Sequence, residues 1–173
     1  MVSSGNDAYV SVQRAAGYGL HITKPNVTSN GGLIAFIVNG TGVGSITTNG
    51  TTTAYNTTSD ARLKENLIPT HYGLETLLKI KVLDYNYKSD TKKVSQTGFI
   101  AQQLYKLYPQ AVQVGGKDEK TNPWMVDYSK ISPLLVIAVQ EQQKIIEDQK
   151  EQINRMNEKL DALTKAVSLL SGK

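Results

Sequence analysis

The chain has 173 residues, a formal net charge of +4 and no cysteine. That length allows one or two small domains, and the missing cysteine excludes disulfide and thiolate chemistry. The longest apolar run, Leu134 to Val139, is far short of the ~18 residues a membrane span needs, and no basic-then-apolar leader opens the chain, so no membrane partner is expected.

Residues 1–58 carry only Asp7, Arg14 and Lys24 as charges, so most of the positive charge lies further on, dispersed among acids. Such mixing describes a solvated surface, and no nucleic-acid partner is expected. Within 1–58, Asn30-Gly31, Asn39-Gly40 and Asn49-Gly50 are turn signals. Between them run short alternating segments: Leu33, Ala35 and Ile37 or Ile34, Phe36 and Val38, then Ile46, then Tyr55. Alternation with Thr and Val predicts strands. The apolar content is too thin for a monomeric sandwich. These strands are buried if several copies wrap around one axis, and they form a partly ordered linker otherwise. Asn26-Val27-Thr28, Asn39-Gly40-Thr41, Asn49-Gly50-Thr51 and Asn56-Thr57-Thr58 match the glycosylation pattern but read better as turn and strand composition.

Residues 59–130 predict a compact mixed body. Leu74, Leu77 and Leu78 lie on one helical stripe after Gly73. Val82 to Tyr87 alternates as a strand, and Gly98-Phe99-Ile100 ends a second. Ala101 to Leu107 fits a helix that stops near Pro109. Val112 and Val114 predict a short strand before the turn at Gly115-Gly116, and Trp124-Met125-Val126 another. Trp124 is a candidate anchor between this body and a C-terminal coiled coil.

Residues 131–173 predict one long helix. With Val139, Ile146, Ile153, Leu160 and Val167 at heptad position a, position d is Leu135, Gln142, Gln149, Met156, Leu163 and Leu170. All but the two glutamines are apolar over about four heptads, which is a coiled-coil pattern. Gln142 and Gln149 are polar layers that fix register at a cost in stability. Periodicity leaves dimer and trimer open. It also leaves open an amphipathic helix that packs back on its own body.

The junction at Ser59 carries the candidate chemistry. Ser59-Asp60-Ala61-Arg62-Leu63-Lys64-Glu65-Asn66 sits where the Thr/Gly/Asn-rich part gives way to a charged, Leu-rich one. Ser59 Oγ reaches the Thr58 carbonyl through a five-membered ring, giving an ester that water opens. Lys64 serves as base only if its ammonium is desolvated. On a continuous α-helix, residues five apart stand about 140° apart around the axis. Ser59 must therefore sit in extended backbone before the first turn, with Lys64 reaching back. The alternative is a simple cap, Ser59 or Asp60 heading a helix from Ala61, with Lys64 an exposed lysine. His71 reads as a loop histidine, and His21 has no visible partner. No His, Asp and Glu spacing suggests a metal site. Gly115-Gly116-Lys117-Asp118 lacks the upstream glycine and the Ser/Thr of a phosphate loop and is rejected as one; nucleotide binding by another geometry stays open, and no cofactor is otherwise expected.

The run from Ser59 to Asn66 resembles the opening motif of the intramolecular chaperone domain found at the C-terminus of phage tailspikes and tail fibres. The endosialidase tailspike is the best-known member, and myelin regulatory factor carries a related domain. Gly98-Phe99-Ile100-Ala101-Gln102, Pro109-Gln110-Ala111-Val112, Val126-Asp127-Tyr128-Ser129-Lys130-Ile131 and the Leu134-Leu135 helix with its Gln-rich continuation also match, in family order. The resemblance implies an α+β fold in three parts. Residues 1–58 would be the end of a fibre shaft, an intertwined trimeric β structure of the triple β-helix kind. Residues 59–130 would be the chaperone body, and residues 131–173 a trimeric coiled coil. It implies a homotrimer that directs folding of the upstream fibre of the same polypeptide. The domain then cuts itself free between Thr58 and Ser59, with Ser59 as nucleophile and Lys64 as base. Assembly would take place in the cytoplasm of the infected bacterium, with the stem entering the virion tail. The competing expectation is a non-cleaving trimeric fibre tip or adhesin.

Overall fold

The structure, a computed structural model, describes Ile22 and residues 31–172. His21, Asn30 and the Asn26 triplet lie outside the described residues. The chain divides into two compact units, Met1–Leu67 and Ile68–Lys173.

The described part of the first unit is an antiparallel meander of β1 (Gly31–Val38), β2 (Thr41–Thr48) and β3 (Thr53–Thr57). Asn39 and Gly40 take positive φ of 49° and 79°, with Val38 paired to Thr41. Two left-handed residues in a two-residue turn match the strand twist, which is why Asn-Gly stands there. At the next turn Asn49 Oδ1 accepts from the amides of Thr51 and Thr52 at 3.0 and 2.8 Å, an Asx turn. β2 and β3 pair in unbroken register from Gly44↔Thr57 to Thr48↔Thr53. Gly31 begins β1, and the rest of the turn expected at Asn30-Gly31 lies outside the described residues. None of the described large apolar side chains of this unit is buried, and Phe36 and Tyr55 are 51% and 80% exposed. The sheet thus has strands but no core of its own.

The second unit holds the core. A short helix, α1 (Leu74–Lys79), leads to the hairpin of β4 (Leu83–Tyr85) and β5 (Gln96–Gly98). Then come α2 (Ala101–Tyr105), a 3₁₀ turn at Pro109–Ala111, and the hairpin of β6 (Val112–Gln113) and β7 (Met125–Val126). A further 3₁₀ turn, Tyr128–Lys130, runs into α3 (Ile131–Ser171). Leu104, Tyr108, Ala111, Ile131 and Leu134 form the buried cluster, flanked by Tyr72, Leu77, Ile80 and Phe99. Gly98 is buried because the Tyr128 hydroxyl lies over it, leaving no room for a Cβ. Leu78 departs from the expected stripe and is 76% exposed, since a helix of six residues offers the core a single face. Trp124 packs edge-on against Tyr105 of α2, with ring centroids 5.4 Å apart, and so anchors β7 to α2.

The fold is therefore mixed, with small antiparallel sheets and one long C-terminal helix. α3 has 41 residues, a length of about 60 Å at 1.5 Å per residue. Its opening turns bury Ile131, Leu134 and Ala138 against the body. The residues one step on, Leu135 and Val139, lie about 100° further around the axis and are exposed. The start of α3 thus carries two apolar faces, one already covered by its own body. From Gln140 to Gly172 every residue is exposed.

Candidate active site

β3 ends at Thr57, but its pairing continues one residue further. Thr58 donates its amide to the Val43 carbonyl at 3.2 Å and its hydroxyl to the Gly42 carbonyl at 2.8 Å. The chain leaves the sheet at Ser59. Asp60 is extended, and its Oδ1 accepts from the Arg62 amide at 2.9 Å. That cap starts a single 3₁₀ turn, Ala61–Leu63, closed by Leu63 N to Asp60 O and Lys64 N to Ala61 O, both 3.1 Å. Lys64 is extended again, and its Nζ donates to Ser59 Oγ at 2.7 Å.

The local chemistry explains this shape. The Arg62 guanidinium folds back on the Asp60 carboxylate, with Nη2 2.6 Å from Oδ2 and Nε 3.1 Å from both oxygens. The Arg62 contact, side chain first and then backbone, holds the Asp60 carboxyl below its ordinary range. One short turn between two extended residues makes a bend, so side chains five apart meet. A continuous helix would have separated them. The cap and the Ser–Lys contact coexist: Asp60, not Ser59, is the capping residue. Asp60 and Arg62 hold the turn, a part that spacing alone did not assign. Ser59 and Lys64 are both exposed in the single chain.

Residues 59–113 match the family model described as chaperone of endosialidase, a family classed among the peptidases. No curated protein matches the chain.

The match opens at Ser59 and closes at Gln113, the last residue of β6. The nucleophile candidate is therefore its first residue. Thr58, on the other side of the candidate bond, is the last residue held by the sheet.

The heptad residues Leu135, Val139, Gln142, Ile146, Gln149, Ile153, Met156, Leu160, Leu163, Val167 and Leu170 all lie on α3 and are all exposed. The apolar ones run from 45% exposed at Leu135 to 81% at Leu170. His71 is an exposed ring stacked on Tyr72 at 4.0 Å. The segment at Gly115-Gly116-Lys117-Asp118 is the β6–β7 connection, closed by Gly116 N to Asn122 O at 2.9 Å and by Asp118 accepting from Lys120 N and Thr121 Oγ1. Among the described residues, no three His, Asp or Glu side chains converge as metal ligands. No described helix is long and apolar enough to cross a membrane. Two functional-looking contacts are not legible in the sequence: the Thr58 hydroxyl on Gly42, and Glu141 of α3 accepting from the Leu74 amide at 2.6 Å. Both pair residues far apart in the chain, and no local pattern announces them.

Proposed function

We propose that this chain is a trimeric assembly chaperone of a phage tail fibre or tailspike that removes itself by one cut between Thr58 and Ser59. The observation that carries the proposal is the 2.7 Å contact of Lys64 Nζ with Ser59 Oγ at the first residue of the chaperone match. In the neutral form Lys64 takes the Ser59 hydroxyl proton as Oγ attacks the Thr58 carbonyl carbon. The C–N bond breaks, the Ser59 nitrogen takes that proton, and Thr58 is left esterified to Ser59 Oγ. Water then opens the ester to a Thr58 carboxylate and a Ser59 bearing a free amine and hydroxyl. Exclusion of bulk water from this exposed pair falls to neighbouring copies of the chain.

Assembly explains why the cut is useful. Pairing strands between chains is slow, because distant segments must be ordered before contacts repay the loss of entropy. Three α3 helices that meet first through their exposed stripe hold the three stems at high effective concentration. Cleavage afterwards removes the nucleator, so the stem persists kinetically. Assembly would take place in the host cytoplasm, leaving the stem in the virion tail.

Denaturing electrophoresis and mass spectrometry of the expressed chain test this. The expected result is one fragment ending at Thr58 and one starting at Ser59. Ser59→Ala should abolish the cut and keep the trimer, and Lys64→Ala should slow it by at least about 100-fold. A wild-type chain that stays intact favours the non-cleaving fibre tip, and normal cutting by Lys64→Ala removes Lys64 from the mechanism.

A further inference from the structure

Heptad position d of α3 is polar at Gln142 and at Gln149, and the surroundings of the two differ. Gln142 is followed at position e by Gln143, whose amide already donates to Glu147 Oε1 at 2.9 Å. Gln149 is followed at e by Lys150, which has no ion-pair partner among the described residues of its own chain. Positions e and g of coiled coils commonly carry acids and bases that pair between helices. Here the acids of α3, Glu141, Glu147, Asp148, Glu151, Glu158 and Asp161, all fall at b, c or f. The charged residues at e and g are Lys150 and Lys159 alone. The flank of the stripe is thus positive, and no e or g acid of a neighbouring α3 is there to neutralise it. Gln149 itself makes no side-chain hydrogen bond among the described residues. Ile146 and Ile153, the a residues on either side of it, stand about 10.5 Å apart along the axis.

We propose that three copies of Gln149, ringed by three copies of Lys150, bind one small monovalent anion such as a halide on the axis of the α3 trimer. This rests on the trimer proposed above, since a single chain holds only a third of the site. Packing around the axis takes Gln149 out of water between two layers of isoleucine, and a buried amide left without partners is costly. Each amide offers two donors and a carbonyl oxygen. The Lys150 ammonium at the edge of the stripe draws the carbonyl oxygen outward, so the –NH2 group turns to the axis. Three-fold symmetry then aims three donors at one point. A single negative charge satisfies all three there, whereas a water molecule with two lone pairs does not. The gap between the isoleucine layers admits an atom-sized, weakly hydrated anion and is too short for a sulfate with its water shell. The bound charge also offsets the repulsion among three lysines that trimerisation brings together. Binding therefore stabilises the assembled state and fixes register in the middle of α3, where the polar layer alone would weaken it.

Sodium bromide and sodium fluoride at equal ionic strength are the probes, with Ser59→Ala in every chain so that one uncut species melts. Fluoride holds its hydration shell tightly and should stay out of the site. Read from helical circular dichroism, the Ser59→Ala trimer should melt about 3 °C or more higher in bromide. Adding Gln149→Ile should abolish that difference, Lys150→Gln should narrow it, and Gln142→Ile should keep it. Gln149→Ile only extends the apolar stripe, so loss of the difference there is not loss of folding. Crystals grown in bromide should show an anomalous peak on the three-fold axis at Gln149. Equal melting in both salts overturns the site, as does a difference that survives Gln149→Ile. A peak with no melting difference marks an adventitious ion only and overturns it as well. An undiminished difference in Lys150→Gln removes Lys150 from the site. Sedimentation as a single chain would instead remove the trimer itself, a result distinct from these.

Discussion

Asp127 stands at the entrance to α3 and does two jobs with one residue. Its Oδ1 accepts from the Ser129 hydroxyl at 2.6 Å and the Ser129 amide at 3.0 Å, heading the 3₁₀ turn that becomes the long helix. Its own amide donates to the Ala111 carbonyl at 2.9 Å, tying that entrance to the core. The Ser129 hydroxyl holds the Asp127 carboxyl below its ordinary range, against the opposing effect of burial. Asp60 and Asp118 are lowered in the same direction, by Arg62 and by Lys120 and Thr121. A carboxyl whose folded pKa is depressed stabilises fully above its unfolded value of about 3.9 and loses that contribution as pH falls through the folded value. Stability should therefore hold from neutrality to about pH 4 as far as these groups decide it, then decline. Asp127→Ala should cost about 1 kcal/mol at pH 7, as for a lost cap, and should flatten the decline below pH 4. Urea unfolding at pH 7 and pH 3 measures both, and an unchanged acid limb in the variant would remove Asp127 from the account.

At the scale of elements, α1 shows how a short helix borrows what it lacks. Its N-cap position is Gly73, which has no side chain to accept from the first amides. Glu141 of α3 supplies the acceptor, Oε2 to the Leu74 amide at 2.6 Å, across 67 positions of sequence. The space is tight enough that a Cβ on Gly73 would run into the Glu141 carboxylate. A carboxylate there meets both the unpaired amide and the positive end of the helix. Glu141→Ala should lower the unfolding free energy by about 1 kcal/mol, and Glu141→Gln should recover the hydrogen-bonding part alone. Chemical denaturation of the full chain separates the three. Equal losses in both variants would mean that charge, not hydrogen bonding, sets the effect.

The same contact marks what was legible in the sequence. α3 was readable because its signal repeats each heptad, and α1, α2 and the hairpins because turn residues punctuate short apolar runs. The strands proved shorter than predicted: Gln96–Gly98 ends before Ile100, and Val112–Gln113 stops before Val114. In this small body three paired positions align one hairpin and two align the other. At the site, the need for extended backbone around Ser59 came from the spacing to Lys64, and the bend is there. Asp60 was one of the two expected caps of a turn from Ala61, and it is the cap found; the Arg62 guanidinium folded back on its carboxylate escaped because that contact is specific to this turn. Thr58 and Glu141 escaped because each binds a carbonyl or amide that only the folded chain brings near.

At the scale of the whole molecule, apolar surface is distributed unevenly. The body buries its leucines Leu104 and Leu134, while the stripe on α3 from Leu135 to Leu170 and the described sheet residues Phe36, Ile37 and Tyr55 stay exposed. A lone helix gains little from such a stripe, since helices in proteins draw most of their stability from packing an apolar face. Ile131, Leu134 and Ala138 already occupy the face turned to the body, so the a/d stripe stays exposed, and in the proposed trimer it is the face that meets the other chains. In solution the protein should sediment with the mass of three chains. Ile153→Asp places a charge in the middle of the stripe, where each copy would desolvate it beside two others, and should shift the sedimenting species to a single chain. The helical signal in circular dichroism that depends on the far half of α3 should fall with it. Gln142→Ile with Gln149→Ile does the reverse, replacing two polar layers by apolar ones, and should raise the melting temperature by several degrees. A wild-type chain that sediments as one molecule, with Ile153→Asp indistinguishable from it, would leave the stripe without a partner and the stem without its nucleator.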